Sequence, residues 1–172
     1  GIAISGGEIL DSPAGEIGTG LAGFAGFNHD NVLVVSDHNL TKEEVKNLEI
    51  RDGVGLGPAL IIHSEVQPAA EDRSGYAPRT AIGQKADGTV ILLCINGRVF
   101  NSLGASYEDV AREMIRYGAV NACMMHGGSA TGMMYRPDLT SVPQLYTSIS
   151  TMSGDQELTP RRLPTYWMVA AK

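Results

Sequence analysis

This 172-residue sequence is poor in cysteine, in basic charge, in large aromatics and in long apolar runs, and each shortage removes a class of protein. Two cysteines, Cys94 and Cys123, cannot form a disulfide framework. Both sit inside apolar runs and read as reduced, buried thiols, although a single bridge stays open if their strands are neighbours. Lysine and arginine number 13 against 19 acidic residues, giving a net charge of −6. The basic residues are scattered, so no basic stripe marks a nucleic-acid footprint, and any anionic ligand has to be held locally. No apolar run reaches membrane-spanning length and no secretory leader is present; Gly1 reads as the start of a mature or trimmed fragment. The four histidines lie far apart without ligand-like spacing, so neither a metal site nor a cofactor is expected.

Glycine, by contrast, is abundant at 21 residues, which suits a sheet-rich chain with many tight turns. The length fits one domain over residues 1–172, enough to bury roughly 70% of the unfolded surface. The pattern predicts an α+β fold: a mixed β-sheet with hairpins and a β-α-β crossover, helices packed on the sheet. Hairpins are expected over residues 2–10 around Gly6-Gly7, over residues 21–35 around Asn28 to Asn31, and over residues 79–95 around Asp87-Gly88. Residues 58–62 read as a buried strand and residues 65–78 as a long surface loop. Thr41 with Glu44 and Ser106 with Asp109 are capping boxes that start helices. The second helix carries Val110, Met114, Ile115 and Tyr117 as its apolar face and stops at Gly118. It joins a strand over residues 90–95 to one over residues 120–125, for which a right-handed parallel crossover is the default. A last strand is expected over residues 166–170.

The segment over residues 119–135 is the most informative. An apolar run of strand length ends at His126, and Gly127-Gly128-Ser129 then turns the chain toward Met133-Met134-Tyr135. Two glycines that can take positive φ allow backbone N–H groups to converge on an anion, with an imidazole at the edge. A hairpin turn with a surface histidine fits the same residues. At the carboxyl end of a parallel strand, such a turn would sit where ligands commonly bind.

Several pieces together resemble the phosphodiester glycosidases related to the lysosomal "uncovering enzyme", which removes N-acetylglucosamine from a phosphodiester-linked mannose. They are Gly57-Pro-Ala-Leu60, Pro78-Arg-Thr-Ala-Ile-Gly-Gln84, Asp87-Gly88, Asn96-Gly-Arg98, Gly118-Ala-Val-Asn-Ala122, Gly127-Gly-Ser129 and Arg162-Leu-Pro-Thr165, in matching order and spacing. Family members usually carry Asn-Leu-Asp-Gly-Gly followed by further serines, where this chain has Met124-Met-His-Gly-Gly128 and then Ser129-Ala-Thr131. The family also has an upstream half whose Asn-Gly-Gly-Phe-Phe type motif lines the same pocket. That half is expected outside the fragment or on a separate chain, as an N-terminal segment of the same protein.

The resemblance implies hydrolysis at an anomeric carbon, which needs charge support on the phosphate, a water positioned by a base, and hydrogen bonds to sugar hydroxyls. Arg79 is the first candidate for the phosphate, since a guanidinium presents paired donors to it; anchoring the loop through Glu71 or Asp72 is the alternative. Arg162 takes the same role by resemblance. Gly127, Gly128, Ser129 and Thr131 are candidate substrate-binding residues. His126 stands where the family has a carboxylate and can act as a general base near neutral pH, but supplies no permanent negative charge. Asp72 is the candidate carboxylate, with Glu71 beside it. The expected function is hydrolysis of a sugar 1-phosphodiester in a surface or secreted glycan. Two other readings stay open: a catalytically weakened carbohydrate or sugar-phosphate binding module, and a structural domain of the cell envelope. The expected partner is a glycan or sugar-phosphate, with no nucleic acid.

Overall fold

The computed structural model describes residues 2–10, 23–55, 57–73, 75–138, 140–147, 163 and 165–169. Two five-stranded sheets form its body. The first holds β1 (Ala3–Ser5), β2 (Glu8–Leu10), β3 (Phe24–Asn28), β4 (Leu33–Ser36) and β5 (Ile50–Gly55), in the order β2-β1-β5-β3-β4. The second holds β6 (Ala59–Ile62), β7 (Glu65–Val66), β8 (Arg79–Lys85), β9 (Val90–Ile95) and β10 (Ala119–Met124), in the order β7-β6-β10-β8-β9. A short pair, β11 (Met134–Tyr135) and β12 (Gln144–Leu145), lies apart from both.

Period-two alternation assigns each strand face to a layer. On β3, Phe24 faces outward to Val45 of helix α1 (Lys42–Asn47), together with Ile4, Leu40 and Ile50. Its neighbour Ala25 faces inward, where Leu33 and Val35 meet Ala59, Ile82 and Cys123 of the second sheet. Ala81, Ala122 and Met124 point to the far side and are covered by Val110, Ala111 and Met114 of helix α2 (Tyr107–Arg116). The layers therefore run helix, sheet, sheet, helix, and the α+β class holds. Both capping boxes form as expected: Thr41 accepts from the Glu44 N–H, Ser106 accepts from the Asp109 N–H, and each carboxylate returns to its cap residue. Gly118 ends α2 at φ +83°.

Two polar side chains tie the sheets together. Strand β4 is an edge strand, and Leu33 presents its backbone to the second sheet. The Leu33 N–H donates to Gln84 Oε1 at 2.7 Å, and the Leu33 carbonyl accepts from Asn121 Nδ2 at 3.0 Å. An edge that would otherwise offer open donors and acceptors is closed by the neighbouring layer.

Several expectations need correction. Strands β9 and β10 run in the same direction but are not neighbours: β8 lies between them, antiparallel to both. Every strand pair among the described residues is antiparallel, because hairpin pairing of β8 with β9 occupies the position a parallel neighbour would take. On α2 the buried face is Val110, Ala111 and Met114, while Ile115 and Tyr117 are exposed, since the stripe follows the turn at 110, 111 and 114. Residues 166–169 form no strand; Trp167 instead meets Phe27 edge-on, ring centroids 5.5 Å apart. Strand β5 was unread in the sequence because its glycines mask the pattern. Both cysteines are free thiols, with β8 separating their strands. Burial pushes the Cys123 thiol up to about 12 and raises that of Cys94 as well.

Candidate functional site

Three segments converge at one end of the second sheet: residues 77–79 entering β8, residues 97–105 between β9 and α2, and residues 125–131 leaving β10. Backbone hydrogen bonds fix them to one another. Ala77 and Ala105 exchange N–H groups and carbonyls at 3.3 and 3.0 Å, Met125 N–H donates to the Thr80 carbonyl at 2.7 Å, and Gly128 N–H donates to the Pro78 carbonyl at 2.8 Å. Gly127 passes so close that a Cβ there would stand 2.6 Å from the Pro78 carbonyl oxygen, so no larger residue fits without moving the backbone.

Arg79 is anchored by its backbone surroundings. Its Nε donates to the Ala105 carbonyl at 2.9 Å, Nη2 donates to the Gly75 carbonyl, and the guanidinium lies 4.4 Å from the centroid of the Tyr107 ring. Neither Glu71 nor any other carboxylate forms an ion pair with it among the described residues. The positive charge is thus oriented and half-buried, and among the described residues it has no ion-pair partner and Nη1 has no acceptor.

A second cation, unweighed in the sequence reading, stands beside it. Arg98 Nη1 lies 3.6 Å from the position of a Cβ on Gly128, and Arg98 has no ion pair among the described residues. The signal was available in Asn96-Gly97-Arg98, a turn that returns a strand to a helix and aims a cation back along the sheet end. The two arginines flank the Gly127-Gly128 turn, giving a basic spot on an acidic protein. Tyr107, which supports Arg79, was also missed.

The turn itself differs from the expected nest. Only Gly128 has positive φ, at +64°, while Gly127 is extended at φ −99°. The Gly128 N–H is consumed by Pro78, so of the three expected donors Gly127 and Ser129 N–H remain without a backbone partner among the described residues. A short 3-10 turn over Gly128–Ala130 follows. Thr131 is buried beneath it, and its hydroxyl has no partner among the described residues. A buried hydroxyl left in that state costs stability unless a ligand or water meets it.

His126 is exposed at the rim. Its Nδ1 is 3.1 Å from the Gly127 carbonyl oxygen, and a carbonyl accepts, so Nδ1 is the donor there and Nε2 is the ring nitrogen without a partner among the described residues. Asp72 is exposed at the end of a 3-10 turn over Pro68–Glu71, where its carbonyl accepts from the Glu108 N–H at the start of α2. Nothing described brings its carboxylate to the Gly127-Gly128 turn. Arg162 lies outside the described residues.

Comparison with known proteins identifies the family and the fold. The family model for phosphodiester glycosidase matches residues 1–170. The solved catalytic domain of zebrafish N-acetylglucosamine-1-phosphodiester alpha-N-acetylglucosaminidase, auto-inhibited by its pro-peptide, superposes with a TM-score of 0.66 at 19% identity. It is matched over 94% of this chain and 54% of its own length, so the chain spans about half of that structure. A hypothetical protein from Synechocystis gives a TM-score of 0.43 at 27% identity, over 72% of this chain and 23% of its own. An uncharacterized protein of Bacillus subtilis strain 168, derived from the SPbeta prophage, is 35% identical over 54 residues, 31% of this chain and 8% of its own length. With a family model matched from residue 1 to residue 170 and the motifs gathered at one sheet end, the chain belongs to the phosphodiester glycosidase family.

Proposed function

We propose that this chain contributes the phosphate-binding wall of a glycosidase that hydrolyses a sugar 1-phosphodiester in a surface or secreted glycan. The observation that carries the reading is the pair of guanidinium groups of Arg79 and Arg98 flanking the Gly127-Gly128 turn, neither ion-paired among the described residues. A phosphodiester bears one negative charge and two free oxygens. Two guanidinium groups with donors to spare suit it better than they suit a neutral sugar. The Ser129 N–H and hydroxyl then serve the sugar or the second oxygen.

In the reaction, water attacks the anomeric carbon, the bond from that carbon to the phosphate oxygen breaks, and the phosphate departs as a monoester. The proton released by water goes to Nε2 of His126, which its Nδ1 hydrogen bond leaves available. The arginines stabilise the charge that grows on the departing phosphate. His126 replaces the family's aspartate, and its ring bonds a backbone carbonyl rather than a carboxylate that would orient it as a base. That feature favours the second reading, a sugar-phosphate binding module with little turnover.

Sugar release from an N-acetylglucosamine 1-phosphodiester, measured on the full-length protein, tests both. Arg98→Ala should lower kcat/KM by about 10–150-fold, the value of one charge-assisted hydrogen bond or two, and Arg79→Ala by at least as much. His126→Gln should lower kcat by about 10²–10⁴-fold. No release by the wild-type protein together with measurable sugar-phosphate binding selects the binding module, and full activity in Arg98→Ala rejects the phosphate assignment.

A further inference from the structure

The loop over residues 97–104 does more than carry Arg98. It is a closed, hydrogen-bonded unit: Val99 and Ser102 exchange N–H groups and carbonyls at 3.0 and 3.1 Å, the Ser102 hydroxyl donates to the Asn96 carbonyl at 2.7 Å, and the Arg98 N–H donates to the Leu103 carbonyl at 3.3 Å. Its base is pinned to the entry of β8, where a Cβ on Gly97 would stand 2.7 Å from the Pro78 nitrogen. This braced loop holds Phe100 fully in solvent, at 109% exposure, and Leu103 at 79%. A backbone already ordered by its own hydrogen bonds presents such side chains to a ligand with no further backbone ordering needed on binding. Leu103 stands across the loop from Arg98, so the apolar tip begins where the cation ends.

Resting on the reading above, we infer that residues 97–104 recognise an apolar alkoxy arm of the phosphodiester, the arm that stays on the phosphate when the sugar leaves. Phe100 and Leu103 supply aliphatic and aromatic surface. The Ser102 hydroxyl already serves Asn96, so the exposed Asn101 amide is the polar side chain that the tip sets beside its two apolar ones. Continuity with Arg98 fixes which end of the substrate lies there: the guanidinium takes the phosphate, and the chain beyond the phosphate runs over Leu103 and Phe100. The substrate class is a sugar phosphodiester of a lipid-like alcohol.

The test compares methyl and octyl N-acetylglucosaminyl 1-phosphodiesters below the micelle concentration, with the wild-type protein and a Phe100→Ser, Leu103→Ser double variant whose melting temperature is checked first. Each buried methylene is worth about fourfold in affinity, so a tail that buries only a few predicts an octyl-to-methyl kcat/KM ratio of at least about tenfold. The double variant should bring the ratio to about one, with the change in KM. A wild-type ratio near one, or a ratio that survives in the variant, overturns the inference. Calorimetric binding of octyl phosphate against methyl phosphate keeps this separable from turnover. Tighter octyl binding that the variant loses, with neither diester cleaved, supports the loop assignment and refutes the glycosidase. Cleavage of both diesters at equal rates does the reverse. Loss in the variant of vesicle binding or of a dimer, with no octyl preference in the wild type, assigns the loop to a membrane or to a second copy and likewise overturns the proposal.

Discussion

Removing the Asn121 amide should loosen the joint between the two sheets while leaving the site residues untouched. Asn121 is buried, and its amide holds two backbone groups: Nδ2 donates to the Leu33 carbonyl at 3.0 Å and Oδ1 accepts from the His63 N–H at 2.8 Å. In Asn121→Ala both bonds go, at about 0.5–1.5 kcal/mol each, and the Leu33 carbonyl is stranded at a residue with no exposed surface, adding about 1–3 kcal/mol. His63 lies in an exposed turn, so its N–H can turn to water. The total comes to about 2–6 kcal/mol, or a fall of roughly 4–24 °C in melting temperature for a chain of this size. Urea unfolding and a thermal melt both read it. Gln84→Ala acts on the same residue through the Leu33 N–H, so the double mutant should depart from additivity by about 0.5–3 kcal/mol. A loss below about 0.5 kcal/mol in Asn121→Ala, the scale of an ordinary surface change, would refute the claim that these amides close the β4 edge.

Gly127→Ala should cost about 1–3 kcal/mol and lower sugar release, because the new methyl meets the Pro78 carbonyl oxygen at 2.6 Å, whereas Gly132→Ala meets nothing within 4 Å and should be near neutral in a melt. Helix α1 should show a pH window. Glu44 is held down to about 2 from 4.5 by the Thr41 backbone N–H and hydroxyl and then by His38, so its contribution is complete above 4.5 and fades as pH falls toward 2. His38 is raised above 6.5, chiefly by its hydrogen bond to Asp37 and then by Glu44, so its contribution is complete below 6.5 and is lost as pH rises past its elevated value. Amide exchange of residues 42–47, corrected for intrinsic rates, should be slowest between those limits; a flat profile would contradict the pairing. Finally, Met124→Asn should destabilise without raising sugar release, while His126→Asp should change kcat in a stable protein. An activity gain from Met124→Asn would place that side chain in the site and contradict its burial.

The parts of the fold legible from the sequence were those set by local chemistry. Thr41 with Glu44, Ser106 with Asp109, the turn at Gly6-Gly7 and the turn at Asp87-Gly88 announce themselves within a few residues, and each formed where expected. What failed depended on partners distant in the chain. Whether β9 lies beside β10 or one strand away turns on which strand claims the edge of β8, and apolar runs of similar length do not encode that choice. Ile115 looks like part of the α2 stripe until Ala111 takes the inward position. The site shows the same division. Arg79 and the Gly127-Gly128 turn could be picked out by residue type, but the use of the Gly128 N–H by Pro78, and the approach of Arg98 to the same turn, arise from segments about 30 to 50 residues apart.

The two departures from the family's Asn-Leu-Asp-Gly-Gly pattern are also unequal once their surroundings are known. Met124 ends β10 with its side chain among Leu60, Ala81, Ala111 and Met114, at 1% exposure, so that exchange belongs to packing between the sheet and α2. His126, two residues on, has left the strand and is exposed, next in the chain to the Gly127-Gly128 turn that the two arginines flank. A carboxylate at that position would offset part of the positive charge offered to a phosphate at the turn; an imidazole, which carries no negative charge, does not. Under the proposed function, histidine there favours anion binding at the same position where it removes a fixed negative charge from the chemistry. Under the function proposed above, His126 is therefore the position at which binding of the phosphodiester and its cleavage can be varied separately, and comparing KM with kcat in His126→Asp and His126→Gln reads the two effects.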